Sequence, residues 1–349
     1  MRGAERTFAA IAECWPNAPI YTTLYSEVGT ASSFAGRAVT TSFLQRIGAR
    51  QRGFRAMLPL YPLAVRRLPV KRHDVVVSSS SAFAHGIRPG PGAVHICYSH
   101  TPFRYAWHEC ETALREVPSY LRPALSAALK RIQRWDLEAS KRVTRYIANS
   151  SLTRERIRDF YGRDAKIVHP PVEVERFSIG EPEDFFLAVS ELVPHKRVDV
   201  VLEAARRASR RVVVVGGGPE LPRLRAQYSD VAQFEGRASD ERLADLYQRA
   251  LGLLVPNIEE FGIAAVEAQA AGRPVVAVAA GGALETVVEG KTGVLLPRGD
   301  VVEFAEAMRE IDFDRFDPAA ISRHASRFSL ERFKRSFKAE IEMGVGQLG

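Results

Sequence analysis

Short apolar runs alternate with segments of helical periodicity through residues 185–310. An apolar run of this length, bounded by turn residues, is typical of a strand buried on both faces, as in a parallel sheet covered by helices. The sequence therefore predicts a doubly wound α/β domain. Its predicted strands are residues 185–190, 231–236, 251–256, 274–278 and 293–297, and residues 211–220 are predicted to form a strand, a glycine turn and a helix start. Its predicted helices are residues 197–208, 239–250 (N-cap Ser239) and 301–310.

The first half of the chain alternates in the same way. A proline pair in residues 169–177 marks the linker between the halves. Two such domains, over residues 1–170 and from residue 171 on, are expected to face each other across a cleft at the carboxyl ends of their strands. The predicted strands of the first domain are residues 19–24, 74–79, 93–99, 146–150 and 166–170, and a long helix is predicted at residues 120–142.

The composition is ordinary for a globular protein, with 46% hydrophobic and 26% charged residues in 349. The longest apolar run, residues 274–284, is too short and too rich in glycine to span a bilayer, and the mixed first ten residues do not predict a signal peptide. Cys14, Cys97 and Cys110 lack metal-ligand spacing and favour a reducing compartment. We therefore expect a cytoplasmic protein.

The net charge of +8 is concentrated in the first half, and its densest part is residues 50–72, with seven Lys and Arg and no acid. Apolar residues are interleaved with this charge. A solvated basic face, a surface for anionic lipid and a nucleic-acid surface all fit the pattern. Because no nucleic-acid motif accompanies it, an anionic membrane is the partner that we expect if the stretch has one.

Two carboxylates, Glu259 and Glu267, flank Gly262 in "EEFGIAAVEAQAAGRPVVAV". On one continuous helix they would lie roughly 12 Å apart along the axis. If the helix begins near Gly262, Glu259 lies in the preceding loop and both acids can face a ligand over the helix N-terminus. That N-terminus offers unpaired N–H groups and a positive dipole end, which suit a phosphate.

Lys196 and Arg197 follow the first strand of the second domain and are predicted to clamp such a phosphate. Gly216, Gly217 and Gly218 would let a loop approach a nucleotide. They do not form a dehydrogenase fingerprint, because Leu221 stands where a third glycine is needed. A nicotinamide cofactor is therefore not expected.

These stretches resemble glycosyltransferase family 4, retaining enzymes with the GT-B fold of two Rossmann-like domains. The matching runs are "ELVPHKRVDVVLEA", "VVVGGGPE", "FEGRASDERLADLYQRA" and residues 259–293, and in the first half "HTPFRYAW" and "ANSSLTRERIRDFYG". The first-half runs resemble the mannosyltransferase-like subgroup of surface-glycan and lipopolysaccharide biosynthesis.

The resemblance implies a role for each candidate residue. Glu267 would bind the ribose, Glu259 the donor sugar and Gly236–Arg237 the base, while His100 would contact the donor sugar from the first domain. The catalytic set is then His100, Glu259 and Lys196. The nucleotide-binding set is Arg197, Gly217, Gly218, Gly236, Arg237, Phe261, Gly262, Ile263 and Glu267.

Several of these residues fit a purely structural role as well. Lys196 and Arg197 fit a solvated pair, each glutamate fits an acid that complements the helix dipole, and His100 fits a structural histidine. Arg104 and Trp107 are candidate acceptor contacts, although core packing suits Trp107 equally well.

Two features depart from what the resemblance implies. The family usually has an arginine five residues before the lysine, where this chain has Glu191, so Arg197 would replace it. The family also has a central apolar strand before "RGAER", which is expected to be missing from this chain. Residues 326–349 resemble the closing helix that returns to the first domain, so the second domain is expected to end at residue 325.

Asp312–Asp314 resembles the metal motif of another glycosyltransferase architecture, but it follows a helix and not a strand. We interpret it as a solvated loop and expect neither metal nor cofactor.

The expected function is metal-independent, retaining transfer of a sugar from a nucleotide sugar, with GDP-mannose as donor, to a lipid-linked or surface-glycan acceptor at the inner membrane face. A nucleotide-sugar epimerase of similar architecture and a non-catalytic membrane-binding relative are the alternatives.

Overall fold

The computed structural model describes residues 3–30, 33–47, 55–115 and 117–346, with the backbone alone at residues 55–56. The chain divides into two compact units. Unit 1 comprises Met1–His169 and Phe333–Gly349, and unit 2 comprises Pro170–Arg332.

Unit 1 contains two parallel sheets. Strands β1 and β2 pair with each other, and β3, β4, β5 and β6 form a four-stranded sheet in that order. Within the described residues no strand joins the two sheets. The strands are β1 Ile20–Thr22, β2 Val39–Thr41, β3 Val75–Ser80, β4 Val94–Ser99, β5 Arg145–Ala148 and β6 Ala165–Ile167. Its helices are α1 Gly3–Cys14, α2 Tyr61–Arg66, α3 Cys110–Arg115, α4 Arg122–Ser140 and α5 Ser151–Tyr161.

The local signals of unit 1 explain its better-predicted elements. All six residues of β4 are buried, as expected for an inner strand of a covered parallel sheet. Ser150 caps α5 by accepting a hydrogen bond from the Thr153 N–H, and Gly162 ends the helix with a φ of 65°. Strand β2 was not predicted.

Unit 2 contains one six-stranded parallel sheet in the order β12-β11-β10-β7-β8-β9. Its strands are β7 Phe186–Val189, β8 Val212–Val215, β9 Ala232–Gly236, β10 Gly252–Val255, β11 Val275–Val278 and β12 Gly293–Leu296. Helices follow the strands: α6 Val198–Ala208, α7 Leu221–Tyr228, α8 Asp240–Arg249, α9 Ile263–Ala270, α10 Ala283–Thr286, α11 Val301–Glu310 and α12 Pro318–Ala325. Helix α13, Leu330–Gly346, begins in unit 2 and continues into unit 1.

The strand order of unit 2 reverses between β7 and β10. Alternate residues of these strands enter two separate cores, so that Leu187 packs on one face of the sheet and Phe186 on the other. The loops after β7 and β10 therefore flank the point at which a doubly wound sheet binds ligands. The prediction of two doubly wound domains is confirmed.

The C-terminal segment joins unit 1 later than the predicted boundary at residue 326. Phe328 packs in the core of unit 2, and Ser329 pairs with Val172 there. From Phe333 on, α13 belongs to unit 1, where Phe337 contacts Tyr98.

Candidate functional site

Gly262 begins helix α9 with a φ of 91°, a left-handed conformation that favours glycine. Glu259 lies in the loop before the helix, and Glu267 lies in its second turn. The predicted helix start is therefore confirmed. The N–H groups of the first turn of α9, which have no carbonyl one turn earlier in the helix, lie beside this loop.

Lys196 and Glu259 meet at the switch point of the sheet. The Lys196 Nζ lies 2.6 Å from Glu259 Oε1, and both side chains are partly exposed. Asn257 donates a second hydrogen bond to the same oxygen at 2.9 Å. Sequence reasoning missed Asn257, whose only signal was its place just after β10. The structure thus brings together a lysine and a glutamate that lie 63 positions apart in the chain.

Arg197 has a φ of 52°, although it is not a glycine. Its guanidinium donates to the carbonyl of Pro256 at 3.2 Å, which ties the loop after β7 to the loop after β10. A left-handed conformation at such a residue costs about 1–3 kcal/mol and often marks a functional site. Glu191, which stands where the family has arginine, is an exposed residue of the same loop.

Glu267 is buried, and its Oε2 accepts a hydrogen bond from the Tyr247 hydroxyl at 3.0 Å. Tyr247 on α8 is itself fully buried, and sequence reasoning missed it. The charge of Glu267 contributes to the pKa of Arg176. Burial lowers the pKa of Arg176, but its hydrogen bond to Glu173 and the nearby charges of Asp240, Glu173 and Glu267 outweigh burial and leave that pKa above its ordinary value.

The glycine turn after β8 packs against its own chain. A Cβ at Gly216 would lie 1.8 Å from the Ser190 carbonyl oxygen, and one at Gly218 would lie 2.2 Å from that of Leu192. These glycines are therefore required by the fold, whatever else they do. Gly217 faces the side chain of Arg237, so the turn and the end of β9 do meet.

Phe261 requires a correction. The residue is 3% exposed, and its ring packs edge-on against Phe328 at 5.4 Å between ring centroids, so the ring is part of the core of unit 2. Ile263 also packs, in part, against this core. Gly282 lies against the same turn: a Cβ there would lie 2.1 Å from the Phe261 carbonyl oxygen, and its N–H donates to the Glu259 carbonyl at 2.8 Å.

His100 lies in unit 1, directly after β4. Its Nε2 is 2.8 Å from the Ser79 hydroxyl, and its carbonyl accepts a hydrogen bond from Thr153. Trp107 stacks on Phe160 at 4.8 Å and donates to Asp136 at 2.7 Å. The packing alternative for Trp107 is thus the one observed, while Arg104 remains partly exposed.

The DFD segment behaves as a solvated loop. Asp312 and Asp314 are exposed, and Asp312 accepts a hydrogen bond from the Asp314 N–H within a short 3₁₀ turn. Across the described ranges, no group of three or more His, Cys, Asp or Glu residues has an arrangement suited to a metal ion.

The basic stretch is described only in part, because residues 50–54 lie outside the described ranges. In the rest, Leu60 and Leu63 are each 40% exposed beside exposed Arg66. Burial lowers the pKa of Arg142, and the charges of Arg88 and Arg66 lower it further. These three arginines therefore share one positive region. Among the described helices, none combines the length and apolar character needed to cross a bilayer.

Two family models match the chain. Glycosyltransferase Family 4 matches residues 1–176, and Glycosyl transferases group 1 matches residues 172–327. The D-inositol 3-phosphate glycosyltransferase of Frankia alni is 34% identical over 200 residues, which are 47% of this chain and 49% of the relative. That of Mycolicibacterium smegmatis is 33% identical over 216 residues, 53% and 49% of the two chains. The chain thus spans about half the length of the curated relatives that it matches.

A solved structure has the same fold over nearly the whole chain. Anabaena HepE, in complex with UDP-glucose, superposes with a TM-score of 0.70 at 17% identity and covers 98% of this chain and 96% of its own.

Proposed function

The chain belongs to glycosyltransferase family 4, and from that premise we propose that it transfers a sugar from a nucleotide sugar to an acceptor with retention of anomeric configuration. The observation that carries the proposal is the Lys196–Glu259 pair at the switch point of unit 2, next to the N-terminus of α9. The buried Glu267, held by Tyr247, lies on the same helix.

The proposed chemistry is the departure of a nucleoside diphosphate from the sugar. Negative charge grows on the diphosphate as the bond breaks, so fixed positive groups lower the barrier. Lys196, Arg197 and the N–H groups at the start of α9 are the proposed stabilising groups. Because these groups already supply positive charge, we propose that the reaction needs no metal.

The remaining residues are proposed to orient the donor. Glu267 accepts hydrogen bonds from the ribose hydroxyls, and the Tyr247 hydroxyl fixes the carboxylate that does so. Glu259 binds the donor sugar, and Gly236–Arg237, next to Gly217, contacts the base. Phe261 and Ile263 contribute backbone groups only, while Gly218 shapes the turn. His100 of unit 1 is proposed to contact the donor sugar.

The proposed donor is GDP-mannose, which rests on the resemblance of the first-half motifs. HepE was solved with UDP-glucose, so a UDP sugar is the competing donor. The curated relatives are named for D-inositol 3-phosphate, a small phosphorylated polyol, which makes it the first acceptor to test beside a lipid-linked glycan.

A donor panel tests the proposal most simply. Isothermal titration calorimetry with GDP-mannose, UDP-glucose and an ADP sugar should show binding of one nucleotide class, with GDP-mannose tightest. Transfer is then followed with D-inositol 3-phosphate as acceptor. Release of an altered sugar without transfer would favour the epimerase, and absence of any nucleotide-sugar binding would contradict the proposal.

We also propose that the protein works at an anionic membrane surface through residues 50–72. Exposed Leu60 and Leu63 beside Arg66 support this, since apolar insertion and cationic attraction act together on such surfaces. Neutralising Arg66, Arg67, Lys71 and Arg72 should weaken binding to phosphatidylserine vesicles by about 1 kcal/mol per residue. Vesicle binding that ignores both the substitutions and added salt would contradict it.

A further inference from the structure

Asp136 of α4 is fully buried in unit 1, far in sequence from every residue predicted for the site. Its Oδ2 accepts hydrogen bonds from the Trp107 indole at 2.7 Å and from the Tyr161 hydroxyl at 2.6 Å. Its Oδ1 lies 3.1 Å from His85 Nε2. Burying a carboxylate costs free energy unless hydrogen-bond donors surround it, so the Trp107 and Tyr161 donors stabilise Asp136 in the core.

The network continues from His85 to the end of β3. The His85 Nε2 atom faces the carboxylate, and the Nδ1 atom of the same ring lies 3.3 Å from the Ser80 hydroxyl. Ser80 also accepts the His100 N–H through its carbonyl at 2.8 Å, and Ser79 contacts the His100 ring. The polar chain that starts at Asp136 therefore ends beside His100.

Residues 100–109, hereafter the 100–109 loop, are held at both ends by these polar contacts. His100 anchors its start, and Trp107, inserted between Phe160 and Asp136, anchors its end. Arg104 and Glu109 close the loop by an ion pair at 3.7 Å and by a hydrogen bond from the Glu109 N–H to the Arg104 carbonyl. Arg104 and Tyr105 remain partly exposed between the anchors.

We propose that Asp136 is a positioning residue, which sets the conformation of the 100–109 loop through Trp107 and through His85 and Ser80. The proposal rests on the proposed function, because it makes this loop the part of unit 1 that the transfer reaction uses. Asp136 touches no substrate. It fixes where His100, Arg104 and Tyr105 stand.

The chain offers a matched pair of variants. Trp107→Phe and Tyr161→Phe each remove one donor to the same carboxylate oxygen, but only Trp107 belongs to the loop. Asp136→Asn removes the charge and keeps the shape. All three are compared for deuterium uptake of peptides that cover residues 100–109, and for nucleotide affinity by calorimetry.

Uptake in the 100–109 loop should rise in Asp136→Asn and Trp107→Phe and stay at the wild-type level in Tyr161→Phe. With GDP-mannose as the probe, kcat per nucleotide-binding site should fall about tenfold in the first two variants, with the donor KM unchanged. A purely structural role instead predicts uptake that rises throughout unit 1 and an equal effect of Tyr161→Phe.

Unchanged loop exchange in both Asp136→Asn and Trp107→Phe, or the same loss in Tyr161→Phe, would overturn the proposal. If wild-type protein turns over no nucleotide sugar, the proposed function fails. The exchange comparison then still decides whether Asp136 positions the loop.

Discussion

Two side-chain pairs, His85–Asp136 in unit 1 and Lys196–Glu259 in unit 2, differ mainly in how much water reaches them. The side chains of His85 and Asp136 are 3% and 0% exposed, whereas those of Lys196 and Glu259 are 20% and 28% exposed. A buried pair needs hydrogen-bond partners from the protein itself, because removing one partner leaves a buried charge without compensation. A partly exposed pair contributes little to stability, but either side chain can leave the other and bind a ligand. The comparison separates a pair that holds the fold from one that is available for chemistry.

Breaking the buried pair should have the largest effect. Asp136→Ala leaves the Trp107 indole and the Tyr161 hydroxyl without their acceptor and removes the carboxylate beside His85, so the free energy of unfolding of unit 1 should fall by about 3–5 kcal/mol. Urea unfolding followed by tryptophan fluorescence measures it, because all three tryptophans of the chain, at positions 15, 107 and 135, belong to unit 1. A loss below about 1 kcal/mol would mean that the pair is no different from a surface pair.

A carboxylate in unit 2 should matter for binding more than for folding. Glu267→Ala should weaken nucleotide-sugar binding by about 1–3 kcal/mol, since a charged hydrogen-bond partner is lost. Tyr247→Phe should weaken binding less, because the carboxylate remains and only its orientation suffers. Calorimetry measures both, with Glu241→Ala as the control, an exposed acid in the first turn of the neighbouring helix α8. Equal loss in the control would remove Glu267 from the site.

His95, a buried histidine of β4, should make the stability of unit 1 depend on pH. Burial, together with the smaller effects of nearby His85 and Arg142, lowers the pKa of His95 to about 3. In the unfolded chain, His95 takes up a proton near its ordinary pKa of 6.5. In the folded protein it stays neutral until the pH approaches its lowered pKa of about 3. Stability should therefore fall as the pH drops through this window, by about 1 kcal/mol between pH 7 and 5.5.

Urea titrations at the two pH values, read by tryptophan fluorescence, measure that loss. His95→Asn should flatten the dependence, and His73→Asn, a change at a histidine outside the core, should leave it in place. An unchanged slope in His95→Asn would assign the acid sensitivity to other groups.

Opening the half-exposed pair should have the smallest effect on stability. Lys196→Met should change the free energy of unfolding of unit 2 by less than about 1 kcal/mol, because solvent screens the pair. Circular dichroism is the suitable probe, since unit 2 contains no tryptophan. The same variant should lose most of its turnover. A large loss of stability with normal turnover would reverse the comparison.

The two pairs also differ in how far the sequence could predict them. Lys196 and Glu259 each follow a strand of the same doubly wound sheet, so the strand pattern alone places them at one edge. His85 lies on a short turn and Asp136 near the end of the long helix α4, 51 positions apart, and no local pattern indicates that they meet. The Tyr247–Glu267 contact was missed for the same reason, because it joins two helices.

Local patterns predicted most of the fold. The roles of some residues could not be predicted, because they depend on how the folded chain packs. Gly216 and Gly218 were predicted to let a loop approach a nucleotide, whereas close contacts with the protein's own backbone already require glycine at both positions. The family resemblance placed Phe261 in the nucleotide-binding set, but its ring packs against Phe328. A motif fixes which residues are near the site. Packing decides which atoms of those residues reach it.

Metal-independent binding of a nucleotide sugar in unit 2 is tested by calorimetric titration of the intact protein with GDP-mannose, and with UDP-glucose as the competing donor, in the presence of EDTA. We predict binding of one donor that persists in EDTA, is unchanged by added magnesium or manganese, and is weakened by Glu267→Ala. No binding of either donor, or binding that EDTA abolishes and a divalent metal restores, would contradict this prediction.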